Sequence, residues 1–144
     1  MKAESVTLQD KLQHVRNDYL ELLEACLTGS IYRDFARAPF GSNTFDSHRR
    51  EHGLDWPSRA QTMIGVKRLA NLRALTESVI ADNVPGDLME TGVWRGGACI
   101  LRRAGLYAYN VSDRSVWVAV SFEGLPAGNE SQYPADAGSD FHTY

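Results

Sequence analysis

The chain has 144 residues, of which 43% are hydrophobic, and a formal net charge of -3. This length suits one domain with a moderate core, and the mildly acidic balance with scattered arginines argues against nucleic-acid binding. No apolar run approaches the roughly 20 residues of a membrane span, and the N-terminus has no signal-peptide pattern. Cys26 and Cys99 are far apart in helical patterns, so we expect reduced thiols and a cytoplasmic, non-membrane protein.

The first predicted element is a helix that begins near Thr7 or Asp10 and ends before Gly29. Its apolar residues recur at three- and four-residue steps and share one stripe. These residues are Leu8, Leu12, Val15, Tyr19, Leu22 and Cys26. We expect this stripe to pack against the body of the domain, with a coiled-coil dimer as the alternative.

Residues 31–53 show little periodicity and mix aromatic residues with charged and turn-forming ones. The aromatic residues are Tyr32, Phe35, Phe40 and Phe45. Either they pin the segment to the core, which we favour, or they line a site as a mobile flap. The charged run Arg49–Glu51 is interpreted as a solvated face. His48 and His52 have the spacing of metal ligands on a helix, but their segment has no clear helical pattern.

A long helix is predicted for the middle of the chain. Asp55-Trp56-Pro57 is its candidate start, since proline suits a first helical turn. An apolar stripe of helical period then runs from Met63 to Ile80. The sequence Asn83-Val-Pro-Gly86 is a strong helix breaker and ends it.

A strand, a helix and a second strand are predicted next. We place them at Asp87–Glu90, Gly97–Tyr109 and Ser115–Phe122. The last of these is apolar on both faces, as a buried parallel strand would be, so the three elements form a βαβ unit. Trp94 and Trp117 are expected to pack the sheet rather than to stack on a ligand. The residues that follow are rich in glycine, proline and serine and are predicted to be loop.

The order of strand, glycine-rich loop and helix is that of a nucleotide-type cofactor site in doubly wound folds. Glu90 ends the strand, while Gly92 and Gly96-Gly97 allow the backbone to approach a ligand at the start of a helix. The spacing differs from the G-x-G-x-x-G of dinucleotide enzymes. An acidic residue after the second strand would bind ribose hydroxyls, but that position holds Val120, and the nearest acid is Glu123.

Four segments carry a resemblance to a known family: Trp56–Leu69, Val84–Gly97, Asp113–Ala119 and Ser121–Pro126. They resemble the macrocin O-methyltransferases, which are S-adenosylmethionine-dependent, metal-assisted enzymes that methylate sugar hydroxyls of macrolides and related natural products. The resemblance implies the α/β, Rossmann-like class I methyltransferase fold, represented in part by N-terminal helices and the first βαβ unit. Residues 1–55 would form the N-terminal helix and a lid-like segment, and residues 56–144 the start of a truncated Rossmann-like domain.

The resemblance also implies roles for individual residues. Those expected to contact S-adenosylmethionine are Met63, Glu90, Thr91, Gly92, Gly96, Gly97 and Ser121. Trp56 falls where the family carries an aromatic residue beside the acceptor sugar, and Thr62–Ile64 matches a helical segment beside cofactor and acceptor. Residues 31–53 resemble the family's lid, which would close over the acceptor.

The chain departs from the family's pattern in two ways. The family usually has Val-Ala-Asp-Ser-Phe-Glu-Gly, and Val120 replaces that aspartate. Loss of a ribose-binding carboxylate removes roughly 1.5–3 kcal/mol, or about one to two orders of magnitude in affinity. The family's metal-binding aspartates lie in its C-terminal half, so Mg²⁺ is expected for the family but no metal ligand or catalytic residue is assigned to this chain.

The sequence therefore predicts an O-methyltransferase that acts on a sugar hydroxyl of a macrolide-like natural product or related glycoside, a small-molecule acceptor. One alternative is a truncated, non-catalytic methyltransferase-derived protein that at most binds cofactor or a partner. Another is a different nucleotide-using α/β enzyme, such as a reductase. Because few strands pair, we also expect exposed apolar surface and homo-oligomerisation or aggregation.

Overall fold

The computed structural model describes residues 7–39, 41 and 43–140, and the structural statements below refer to these residues. The elements in chain order are α1 (Leu8–Leu27), α2 (Ser47–His52), α3 (Gly65–Ala81), β1 (Leu88–Thr91), α4 (Gly97–Ala108), β2 (Val116–Ala119) and a short 3-10 helix (Pro134–Asp136). No helix in these ranges combines the length and the apolar character that crossing a bilayer requires.

Local chemistry sets both ends of α1. The Thr7 hydroxyl accepts a hydrogen bond from the Asp10 backbone N–H at 3.1 Å, and the Asp10 carboxylate accepts one from the Thr7 N–H at 3.0 Å. This reciprocal pair is a capping box, which satisfies backbone donors that the first turn leaves unpaired. The helix ends at Leu27, and Gly29 follows in the left-handed region with φ +69°. The predicted bounds of this helix are confirmed.

The prediction of which α1 face packs was wrong. Leu8 and Val15, both in the predicted stripe, are 74% and 63% exposed. The buried face instead carries Leu20 and Leu27, with Leu23 partly buried beside them. The helix has two apolar stripes of similar period, and the second one packs into the core. That core also contains Leu69 from α3 and Leu101 and Ala104 from α4.

The long middle helix begins ten residues after the predicted start at Asp55, because α3 starts at Gly65. Asp55 is buried and binds Arg50 rather than capping a helix, and Pro57 forms an isolated antiparallel bridge with Ala36. The backbone of Gly65 lies against that of Gly53, which leaves no space for a Cβ atom. The helix ends at Ala81, just before the predicted breaker.

The predicted βαβ unit is confirmed: β1 and β2 pair in parallel, from Leu88 opposite Val116 to Thr91 opposite Ala119, and α4 connects them. The expected burial of β2 was wrong, since Val118 is 43% exposed. The α4 helix covers only one face, and β1 is the only described strand beside β2.

The two tryptophans are not buried against this sheet, contrary to the prediction. The Trp117 indole N–H reaches the solvent-exposed Asp87 carboxylate at 2.7 Å, and the Trp94 ring lies 4.2 Å from the Arg95 guanidinium. In both cases a polar or charged partner on the surface holds the ring. Cys26 is exposed, Cys99 is buried, and both are free thiols.

Of the four aromatic residues predicted to pin residues 31–53, Phe45 is partly buried and packs against the guanidinium groups of Arg33 and Arg50, and polar contacts do most of the rest. Tyr32 and Phe35 are half exposed, and Phe40 lies outside the described residues. Arg50, by contrast, is 1% exposed, so its interpretation as part of a solvated face was wrong. Its Nε and Nη2 atoms donate to the Asp55 carboxylate, and its other bonds go to backbone carbonyls. A buried ion pair therefore anchors this segment to the residues before α3.

Candidate functional site

The candidate site lies where β1 and β2 end. Thr91 pairs with Ala119, so the loop after β1 and the residues after β2 leave the sheet at the same edge. In doubly wound folds ligands bind outside this carboxyl edge. The predicted site residues Glu90, Thr91 and Ser121 therefore share one end of the sheet.

The glycines of the loop serve two different purposes. Gly92 and Gly96 have φ values of +72° and +83°, and a Cβ atom on either would meet nothing within 4 Å. They give the loop its left-handed turns and leave open space above it. Gly97 instead packs tightly, since a Cβ there would lie 2.6 Å from the Gln61 carbonyl oxygen. The α4 helix begins at Gly97 with no side-chain cap, so its positive dipole end faces the loop.

Glu90 is held by two side chains of α4. Its Oε2 atom accepts a hydrogen bond from the Cys99 thiol at 3.0 Å and another from Nη1 of Arg102 at 3.3 Å. Burial, together with the neighbouring carboxylate of Glu90, raises the pKa of the Cys99 thiol to about 11. Cys99 therefore stays protonated at neutral pH and remains a hydrogen-bond donor to Glu90.

Arg95 fastens the glycine loop to the segment that precedes α3. Its Nη1 atom donates to the carbonyl oxygens of Pro57, Ser58 and Ala60 at 3.0–3.3 Å. The Gly97 backbone N–H adds a bond to the Gln61 carbonyl at 2.9 Å. Trp56 immediately precedes this segment in the sequence, and Met63 follows it. Residues close to both of them in the chain therefore contact the loop.

Asp34 binds backbone N–H groups of the same segment. Its carboxylate accepts hydrogen bonds from the Ser58 hydroxyl at 2.6 Å and from the backbone N–H groups of Arg59 and Ala60 at 2.8 and 2.9 Å. Burial alone would raise the pKa of Asp34, but these hydrogen bonds outweigh it and the pKa lies below its usual value. Residues 58–60 are thus bonded to Asp34 on one side and to Arg95 on the other.

The remaining predicted residues are less tightly held. Ser121 is exposed, and its hydroxyl accepts from the Glu123 N–H at 3.3 Å. Thr62–Ile64 forms the connection before α3, not part of a helix as expected, because α3 begins at Gly65. Val120 follows β2 at the same edge and is 39% exposed.

Sequence reasoning missed the residues that support this site. Arg95 stands inside the quoted motif, yet nothing in the sequence indicates that it binds carbonyls some 35 residues away. Cys99 and Arg102 lie on the first turns of α4, on the side that faces β1, and this three-residue spacing could have identified them. Asp34 gave no signal of its own.

Metal binding receives no support from the part of the chain that the structure describes, which has no group of three or more His, Cys, Asp and Glu residues able to hold an ion. His48 and His52 do lie on one short helix, with ring centroids 4.4 Å apart. However, His52 Nε2 lies 2.8 Å from Nζ of Lys67, and its Nδ1 is bonded to the His48 carbonyl.

A groove of about 800 Å³ lies between α1, α4 and the start of β2, and Cys99, which donates to Glu90, is among its lining residues. Its walls include Tyr19, Ile100, Tyr107, Arg114 and Val116. Because Val116 opens β2, this groove extends toward the amino end of the sheet, away from the glycine loop. We therefore place the candidate site at the loop rather than in this groove.

Comparisons with known proteins identify related sequences and a related structure. A family model described as Macrocin-O-methyltransferase (TylF) matches residues 16–144. Demethyldecarbamoylnovobiocin O-methyltransferase of Streptomyces niveus is 50% identical over 127 residues, which cover 86% of this chain and 48% of that protein. Mycinamicin III 3''-O-methyltransferase of Micromonospora griseorubida is 48% identical over 128 residues, or 88% of this chain and 50% of that protein.

A third relative is the 8-demethyl-8-(2,3-dimethoxy-alpha-L-rhamnosyl)-tetracenomycin-C 4'-O-methyltransferase of Streptomyces olivaceus, 46% identical over 136 residues, 92% of this chain and 51% of that protein. A solved structure, that of the O-methyltransferase NovP, matches with a TM-score of 0.81 at 49% identity over 89% of this chain and 51% of its own. The predicted partial Rossmann-like methyltransferase fold is confirmed. The chain spans about half the length of the curated relatives it matches. It belongs to the macrocin O-methyltransferase family.

Proposed function

We propose that this chain binds S-adenosylmethionine and supplies the cofactor-binding part of an O-methyltransferase. The acceptor would be a sugar hydroxyl of a macrolide-like natural product or related glycoside. The observation that carries the proposal is the turn from β1 through the glycine loop into α4, with Glu90 near the strand end. The names of the relatives support the acceptor class, since one of them specifies a rhamnosyl compound.

The residues of the loop fit this cofactor chemically. The space beside Gly92 and Gly96 is open, so a ligand can approach the backbone closely there. The N-terminus of α4 favours a carboxylate, and a carboxylate such as that of Glu90 accepts hydrogen bonds from ammonium or hydroxyl groups. The cofactor carries all three of these groups. Thr91 and Ser121 line the same edge of the sheet, which agrees with their proposed contacts to the cofactor.

The segment before α3 would serve the acceptor. Trp56 is proposed to lie beside the sugar, and Met63 between sugar and cofactor. Hydrogen bonds to Asp34 and from Arg95 hold the residues between Trp56 and Met63 in one conformation. Such fixed positions favour catalysis by alignment, because the two reactants then meet in a reactive geometry without a further loss of entropy.

S-adenosylmethionine, when bound, supplies a methyl group on a sulfonium. Transfer of this methyl group to the acceptor hydroxyl would be favoured by in-line alignment of the two, and the hydroxyl proton would pass to a base or to solvent. We assign no catalytic base among the described residues. Mg²⁺ is proposed for the family's reaction, but the side chains in the described ranges do not form a ligand set that fits it.

Isothermal titration of the chain with S-adenosylmethionine tests the proposal. We expect binding in the micromolar range that weakens about tenfold in Glu90→Gln, through loss of a charged hydrogen-bond acceptor. Asp82→Asn is the control, because Asp82 is an exposed acid between α3 and β1, at the opposite end of the strand from the glycine loop. No heat of binding at millimolar cofactor would refute the proposal.

The family match overturns the reductase alternative, and one further measurement addresses the non-catalytic one. Cofactor binding without methyl transfer to any glycoside acceptor, in the presence of Mg²⁺, would favour the non-catalytic alternative.

A further inference from the structure

The two oxygen atoms of the Glu90 carboxylate are used unequally. Both described contacts of this side chain, from Cys99 and from Arg102, go to Oε2. Among the described residues no side chain or backbone group donates to Oε1. One oxygen is thus bonded to α4, and the other remains able to accept a hydrogen bond.

The contact from Arg102 fixes more than the carboxylate. The same Nη1 atom donates to the Met89 carbonyl oxygen at 3.1 Å, so Arg102 bonds both the backbone of β1 and the side chain that follows. The Arg102 and Glu90 side chains are 18% and 16% exposed. An ion pair this far removed from solvent is less screened than a surface pair and can hold one geometry.

Cys99 provides the second donor to Oε2 of Glu90. Its thiol is buried and donates to Oε2 at 3.0 Å. Cys99 and Arg102 are three residues apart on α4, so both side chains leave the same face of the helix. Together they leave the carboxylate little freedom to rotate.

We propose that Arg102 is a positioning residue for cofactor binding: with Cys99 it holds Oε2 of Glu90, so that Oε1 is presented to a donor group of the cofactor. The inference rests on the proposed binding of S-adenosylmethionine. Arg102 does not itself contact the cofactor in this arrangement. Its effect on affinity passes through Glu90.

A double-mutant cycle tests this dependence, with cofactor dissociation constants measured by titration calorimetry. We expect Arg102→Met to weaken binding about tenfold and Arg102→Lys to recover part of the loss, since lysine keeps one charged donor. In a Glu90→Gln background Arg102→Met should add little, because the group it positions is altered. Arg103→Met, next along α4 and exposed, is the control and should bind like the unmodified chain.

Cys99 offers a second cycle that does not depend on the arginine. Cys99→Ser keeps a donor and should retain affinity, whereas Cys99→Ala should weaken binding a few-fold, and only where Glu90 is present. This cycle decides the question if Arg102→Met fails to fold in a thermal melt. Unchanged affinity in the folded variants, or losses that add fully to that of Glu90→Gln, would overturn the inference alone. Absence of binding by the unmodified chain would overturn the proposed function and the inference with it.

Discussion

Replacing Arg50 by methionine should strongly destabilise the fold, because it breaks a buried ion pair. The Arg50 and Asp55 side chains are 2% and 1% exposed, and two guanidinium nitrogens bond the carboxylate at 3.0 Å. Methionine leaves that carboxylate buried without a counter-charge, which costs about 3–5 kcal/mol. It also removes the donors to the carbonyls of Thr28 and Asp34. The free energy of unfolding of a typical domain is only about 5–15 kcal/mol, so this loss would be a large part of it.

Urea denaturation followed by tryptophan fluorescence measures this loss. We expect a lower midpoint at unchanged slope for Arg50→Met, and almost no change for Arg68→Met on the exposed side of α3. The double variant Arg50→Met/Asp55→Leu should be more stable than Arg50→Met, because it no longer buries an unpaired charge. A loss below about 1 kcal/mol, or a double variant no more stable than the single one, would refute the assignment of this ion pair as the anchor of residues 31–53.

Three further predictions concern pH, cofactor affinity and association. The pKa of Asp34 is lower in the fold than its usual value of 3.8, so its contribution to the free energy of unfolding is complete above that value and is lost as pH falls through the folded pKa. The stability difference between the unmodified chain and Asp34→Asn should therefore be constant near neutral pH and shrink in acid, and a difference that persists at low pH in urea titrations would contradict this. Val120→Asp should tighten S-adenosylmethionine binding by about one to two orders of magnitude in calorimetry, with Val120→Asn gaining less, and an unchanged affinity would show that the residue after β2 does not meet the ribose. Because Leu12 and Val15 are 44% and 63% exposed, replacing both by glutamate should reduce self-association in sedimentation velocity, and equal association of both proteins would remove this face from the interface.

Features determined by neighbours in the sequence could be predicted. The capping box of Thr7 and Asp10, the left-handed Gly29 and the breaker at Asn83 all act within a few residues, and they gave the ends of α1 and the end of α3. The crossover from β1 to β2 through α4 follows from the same kind of local signal. Family resemblance supplied the chemistry that these patterns alone left open.

Features determined by distant residues could not be predicted. Periodicity predicted one apolar stripe of α1, and the packing against Leu69 and Leu101 buries a different one, with Leu20 and Leu27. Arg50 stands among charged residues in the sequence, as a surface residue would. Its partners Thr28 and Asp55 lie before and after it in the chain, and only folding brings them into contact with it. The late start of α3 has the same origin, because Asp55 binds Arg50 and is not free to cap a helix.

A continuous series of hydrogen bonds connects the lid-like segment, residues 31–53, to the proposed cofactor loop. Asp34 binds the backbone of residues 58–60, Arg95 binds carbonyls of the same stretch, and the Gly97 N–H binds Gln61. The segment from 31 to 53 therefore has one anchor at Asp34 and another at Arg50. A lid that closes over the acceptor would have to move between these two fixed points. Asp34 and Arg95 both bind residues 59–60 or their neighbours, so the lid-like segment and the glycine loop share one supporting network.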